Sequence, residues 1–179
     1  MRWYWIDRFL EFESGRAAVA VKTVSLSEEH LHDHFPGCPL MPNSLVIEGF
    51  AQLGGILVGE HIGFAGNMIL AKVPKAEFEF SPQPGDTLTY RAKIEYVKED
   101  GALVAGESHI GDKLHAKVEV FFANVLETDR SRRLFSDAEL LAMMKMLGVY
   151  RVGRTATGEK LVPPKLGEIP DPARLAGRS

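Results

Sequence analysis

Residues 34–55 read HFPGCPLMPNSLVIEGFAQLGG, and the fold turns on how this run is read. Its first half places Pro36, Gly37, Pro39 and Pro42 close together. Proline fixes φ and removes a backbone donor, so this half is a loop rather than a regular element. From Ser44 to Glu60 the chain has helix length, and its apolar residues, among them Leu45, Val46, Ile47, Phe50 and Leu53, fall on every face. A helix that is apolar all round is expected to be buried all round. Asn43 is the expected N-cap. Gly49, Gly54 and Gly55 weaken intrinsic helicity and are accounted for if another backbone passes close to the helix.

Outward from this run the chain reads as strands. Tyr4 to Glu13 and Arg16 to Thr23 flank Ser14-Gly15 as a first hairpin, and Ser25 to Asp33 is polar and irregular. Met68 to Phe80 is extended and broken at Pro74, and Ser81 to Asp86 is turn-rich. Leu88 to Val97 alternates apolar and polar residues, the pattern of a half-buried strand. Ala102 to Ile110 and Lys113 to Ala123 form a further hairpin around Gly111-Asp112. One buried helix and about six antiparallel strands make an α+β fold in which the sheet covers the helix. Such a sheet leaves an edge strand open, which a second copy can pair, so a homodimer is expected.

The character changes near residue 126. Residues 1–126 carry 11 basic and 17 acidic side chains, whereas residues 127–179 carry 10 and 7. We divide the chain there into a principal domain, 1–126, and a C-terminal extension, 127–179. In the extension Ser136-Asp137-Ala138-Glu139 fits a capping box and opens a short amphipathic helix over about 136–147, which Gly148 ends. Val149 to Ser179 holds Pro163, Pro164, Pro170 and Pro172 and reads as an extended tail. The basic extension either packs on the acidic body or receives an acidic partner.

No apolar run reaches the roughly 18 residues of a membrane span, and Asp7, Arg8 and Glu11 interrupt the amino terminus before a secretory core develops. A single cysteine, Cys38, is compatible with a reducing compartment. A cytoplasmic location is the expectation, with neither membrane nor nucleic acid as partner.

Glu48 is the lone acid on the central helix, and an ionised carboxylate there incurs a desolvation penalty unless a partner compensates it. Gln52, one turn along, is placed to orient it. It either serves as a general acid or is a carboxyl hydrogen-bonded into the core. His34, before the Pro36-Gly37 turn, sits where a side chain can be aimed into a cleft. With His30 and His32 it makes an alternating set, but no cysteine or carboxylate cluster completes a tetrahedral metal site. Cys38 is a weak candidate nucleophile, because Pro39 marks a turn and lone cysteines are usually inert.

Taken together, the run HFPGCPLMPNSLVIEGFAQ closely resembles the 3-hydroxyacyl-acyl-carrier-protein dehydratases of fatty-acid synthesis, which have the hot-dog fold. His34 to Gly37, Pro39, Met41-Pro42, Glu48 and Ala51-Gln52 match that family's motif in identity and spacing. Weaker similarity covers about residues 5–125, including Asp7-Arg8 and Pro84-Gly85-Asp86. The resemblance implies that His34 is the catalytic base and Glu48 the acid, contributed by opposite subunits of a dimer. It implies that the carbonyl of Leu40 holds His34, and that backbone N–H groups around Gly37 and Asn43 receive the substrate's carbonyl oxygen. It also implies no cofactor, an acyl carrier protein as partner and a trimer of dimers. Two positions depart from the pattern. Asn43 stands where the family has glycine, and Glu77, Glu79 and Phe80 stand where bacterial members present basic residues to the carrier protein. Arg130, Arg132, Arg133, Arg151 and Arg154 of the extension either replace that patch or belong to a solvated structural segment. Other hot-dog readings are an acyl thioesterase using Glu48 to activate water and a non-catalytic acyl-thioester-binding protein.

Overall fold

A computed structural model describes residues 3–64, 67–125 and 136–165. The first hairpin forms from β1 (Arg8–Glu13) and β2 (Ala17–Thr23), antiparallel, around a turn in which Gly15 adopts φ +71°. A single helical turn, α1 (His30–Asp33), precedes the proline-rich loop, and α2 (Asn43–His61) follows it. Then come β3 (Asn67–Phe78), β4 (Thr87–Lys98), β5 (Gly101–Ile110) and β6 (Lys113–Val125). The extension contributes α3 (Asp137–Met146), α4 (Val149–Val152) and β7 (Gly153–Arg154).

All strands join one seven-stranded sheet in the order β3-β6-β5-β4-β2-β1-β7. The expectation of about six strands misses β7, which pairs with β1 in parallel through Phe12 and Glu13. Two residues carry no periodicity, so only the finished sheet reveals that strand. Pro74 is accommodated in β3 because β3 is the outermost strand, and its pairing with β6 is irregular between Leu70 and Lys75.

The inward face of the sheet packs on α2. Phe50, Leu53 and Leu57 of the helix are buried against Leu88, Tyr90, Val104, Val118 and Phe122 of the strands. Close approach requires glycine on both sides of this contact. A Cβ on Gly49 would lie 2.8 Å from the Tyr90 hydroxyl and 3.0 Å from the Trp5 carbonyl, and one on Gly106 would lie 2.5 Å from the Phe50 ring. A backbone segment does therefore cross α2, at Trp5.

Two expectations for α2 are corrected. The helix is not buried all round: Asn43 and Ser44 are exposed, and Ile47, Glu48, Gln52 and Gly55 are half-buried. The sheet covers one side of the helix only, and apolar composition alone cannot show where it stops. The N-cap is Pro42 rather than Asn43, with Pro42 at φ −58° and ψ 135° and no side-chain capping bond. Proline at this position lets the chain leave its extended conformation directly into the first turn, where Leu45 N–H donates to the Pro42 carbonyl at 3.0 Å.

The extension does not run free of the domain. Ser136 caps α3 through a reciprocal capping box with Glu139. Met144, Leu147, Val149 and Leu161 belong to the same core as α2 and β1, and Phe9 N–H donates to the Leu147 carbonyl at 2.8 Å. Val149 to Arg154, read from sequence as tail, forms a helical turn and an edge strand because these carbonyls and N–H groups meet unpaired partners on β1. The division at residue 126, the cluster Arg130, Arg132 and Arg133, and Pro170 and Pro172 lie outside the described residues.

Candidate active site

The loop before α2 is built to hold one imidazole. Phe35 and Cys38 exchange backbone hydrogen bonds of 3.0 and 2.9 Å, closing a turn in which Gly37 takes φ +76°. Only glycine enters that region without strain, which accounts for Gly37 in the motif. Leu40 N–H donates to the His34 carbonyl at 2.9 Å, and His34 Nδ1 lies 2.8 Å from the Leu40 carbonyl. A carbonyl only accepts, so Nδ1 carries the proton and Nε2 of the neutral ring keeps its lone pair. The expected partnership of His34 and Leu40 is thus present. The Phe35 ring stacks on the imidazole at 4.3 Å, with its own side chain 53% exposed. Met41 N–H donates to the Pro82 carbonyl at 2.8 Å, tying the loop to the turn after β3.

A second network holds Glu48. Gln52 Nε2 donates to Glu48 Oε1 at 3.0 Å and to the Trp3 carbonyl at 2.9 Å, while Gln52 Oε1 accepts from Trp5 N–H at 2.8 Å. The spacing of four residues on α2 predicts the Glu48–Gln52 contact; the amino-terminal backbone that fixes Gln52 is not legible in it. Trp5 also sets its ring edge-on to His30 at 5.2 Å. One segment, Trp3–Trp5, therefore touches both the Glu48 network and the turn leading to His34.

Buried charge fixes that turn as well. Lys22, 5% exposed on β2, donates to the Thr23 carbonyl at 2.6 Å, pairs with the Glu28 carboxylate and lies 3.7 Å from Asp7. Burial pushes the His30 imidazole below its ordinary range, against the opposing field of Glu28. Because residues 30–33 form a helical turn, the alternation of His30, His32 and His34 does not place them on one face, and His32 turns to the Leu26 carbonyl instead. Lys22, Glu28, Trp5 and Gln52's backbone partners escape sequence reading; a lysine inside the apolar run AAVAVKT was the one available signal. Asn43 stands exposed in the first turn of α2, and Cys38 is exposed with its backbone in the turn. Among the described residues, His34 and Glu48 share no hydrogen bond with each other.

A family model described as a FabA-like domain matches residues 3–114. The 3-hydroxyacyl-[acyl-carrier-protein] dehydratase FabZ of Pelotomaculum thermopropionicum is 37% identical over 119 residues, which cover 66% of this chain and 85% of the relative. The chain belongs to the FabA-like family. The FabZ of Desulforamulus reducens is 38% identical over 121 residues, covering 66% of the FabA-like chain and 84% of that relative. In three dimensions the FabA-like chain is similar to the dehydratase heterocomplex ApeI:P of Xenorhabdus doucetiae, with a TM-score of 0.57, 14% identity, and 78% and 88% of the two chains covered. A Streptococcus mutans protein bound to acetyl CoA gives a TM-score of 0.56 at 16% identity, covering 70% and 93%. These likenesses show the fold, a hot-dog sheet packed on one long helix.

Proposed function

We propose that this FabA-like chain dehydrates 3-hydroxyacyl thioesters carried on an acyl carrier protein, giving trans-2-enoyl thioesters for fatty-acid or related lipid or polyketide synthesis. The single observation that carries the reading is the orientation of His34. Its Nδ1–H is committed to the Leu40 carbonyl, which leaves Nε2 as a base in a chain of this family. Nε2 takes the proton from C2, electrons move into the C2–C3 bond, and the C3–O bond breaks. Glu48, oriented by Gln52, donates the proton with which the hydroxyl leaves as water. Backbone N–H groups near Gly37 and at the mouth of α2 by Asn43 receive the negative charge that builds on the thioester oxygen. No cofactor enters this scheme.

His34 and Glu48 share no hydrogen bond among the described residues, which suits a site shared between two subunits, with each dimer holding two sites and three dimers assembling further. A cytoplasmic setting accords with the composition. Of the five extension arginines considered for an acidic carrier protein, Arg151 and Arg154 are described and exposed.

The test is appearance of the enoyl thioester's ultraviolet absorbance with a 3-hydroxyacyl thioester as substrate. Loss of activity by at least about 100-fold is expected for His34→Ala and for Glu48→Gln, the scale of a removed acid or base. Release of free thiol without enoyl product would replace dehydration by thioester hydrolysis. Full activity of both variants would remove the proposed roles.

A further inference from the structure

A second histidine lies inside the sheet, one residue beyond the segment matched by the family model. His115 and Ser108 are both 0% exposed, and Ser108 Oγ sits 2.5 Å from His115 Nδ1. Sequence alternation places His115 outward, because Leu114, Ala116, Val118 and Val120 occupy the inner face. A β-bulge changes this. Ser108 opposes Ala116 while His109 opposes Leu114, so His115 is the extra residue between them. Bulges re-aim side chains, and this one turns an imidazole into the core.

What the imidazole meets there is the turn that supports the candidate base. Its ring lies 6.0 Å from the Phe78 ring and 5.3 Å, edge-on, from the Phe80 ring, and the His115 carbonyl accepts from Glu79 N–H at 2.9 Å. Among the described residues Nε2 is buried with no hydrogen-bond partner, so the Ser108 hydroxyl is the one polar side-chain group that meets this imidazole. Two residues after Phe80, the Pro82 carbonyl accepts from Met41 N–H, and the neighbouring Leu40 carbonyl holds His34 Nδ1. A polar pair this deep is costly where an apolar pair would pack equally well, so its place against this turn calls for a role.

We propose that the Ser108–His115 pair is a positioning device for the dehydration site, fixing the Phe80–Pro82 turn and through it the Leu40 carbonyl that selects the His34 tautomer. The inference rests on the dehydratase reading for its kinetic consequence, not for its geometric one. His115 touches neither substrate nor reacting atoms in this scheme. Its removal loosens the aim of His34 without altering the surface that binds substrate.

Two readouts on His115→Phe and Ser108→Ala test this. With the fold verified by circular dichroism, kcat should fall about 10- to 100-fold, the penalty of misplacing a reacting group by about 1 Å, while KM stays within about twofold. Ser108→Thr, which keeps the hydroxyl, should restore most of the rate. Independently of turnover, the imidazole nitrogen resonances of His34 should report one Nδ1–H tautomer in the wild type and a tautomer mixture in His115→Phe. Wild-type kcat together with unchanged His34 resonances in both variants would overturn the proposal. Should His115→Phe fail to fold, Ser108→Ala carries both measurements. Absence of dehydration by the wild type would remove the function proposed above, and the His34 spectra would still decide the role of His115.

Discussion

At the residue scale, the site depends on which polar atoms are satisfied and by what. His34 has Nδ1 committed to the Leu40 carbonyl, and in the proposed mechanism its other nitrogen is the base. Half-buried His30 and buried His115 behave differently. Desolvation holds the imidazoles of His30 and His115 below the ordinary histidine range. A histidine whose folded pKa is depressed binds its proton more readily in the unfolded chain, so stability falls as pH drops below about 6.5. Thermal unfolding between pH 7.5 and pH 5 should accordingly show a steeper loss for the wild type than for His115→Phe. The difference in slope should not exceed about 1.4 kcal/mol per pH unit, one proton's worth. Parallel slopes would mean that His115 does not titrate in this window. Glu60 has the opposite sign. Burial raises its carboxyl, partly offset by a hydrogen bond from Ser14, so ionisation above the ordinary carboxylate range costs stability and Glu60→Gln should gain at pH 7 relative to pH 4.

At the scale of elements, α2 shows how one residue type serves different ends. The motif around His34 was legible because its prolines, glycine and histidine stand in a fixed local order, and the Glu48–Gln52 contact because four residues make one helical turn. The glycines of α2 suggested a close neighbour without identifying it. A Cβ on Gly49 would strike the Trp5 carbonyl and the Tyr90 hydroxyl, whereas one on Gly55 would rest 3.5 Å from the Phe122 ring, an ordinary contact. Gly49→Ala should therefore lose about 1–3 kcal/mol through overpacking despite better helix propensity, and should slow turnover because Trp5 braces Gln52. Gly55→Ala should gain up to about 1 kcal/mol. Denaturant midpoints of the two variants decide this; equal shifts would contradict the packing at Trp5. In the extension, Ser136→Ala should cost about 1 kcal/mol through loss of the reciprocal cap on α3.

At the scale of the whole molecule, the two sheet edges have different fates. β7 and the Leu147 carbonyl cover β1, while among the described residues β3 is hydrogen-bonded to β6 alone. An open edge strand invites a second copy, and in the proposed dimer pairing there would bring two chains together at a shared site. Mixing decides whether the site is shared. Equal amounts of His34→Ala and Glu48→Gln chains, dissociated and reassembled, should recover about a quarter of wild-type activity, because half the dimers are mixed and each has one intact site. Recovery of nothing, with mixed dimers verified by mass, would place both residues of each site in one chain.

Residue order alone made the local features legible: the turn that presents His34, the helix that carries Glu48 and Gln52, the alternation of the long strands and the capped helix of the extension. Each follows from interactions among neighbours along the chain. It took the folded chain to show which side of α2 the sheet leaves uncovered, that Trp3–Trp5 braces Gln52, that Lys22 is buried beside Glu28, that a bulge turns His115 inward, and that the extension supplies a seventh strand. Those outcomes depend on contacts between residues far apart in sequence, where geometric fit and the satisfaction of buried polar groups, rather than periodicity, select the arrangement.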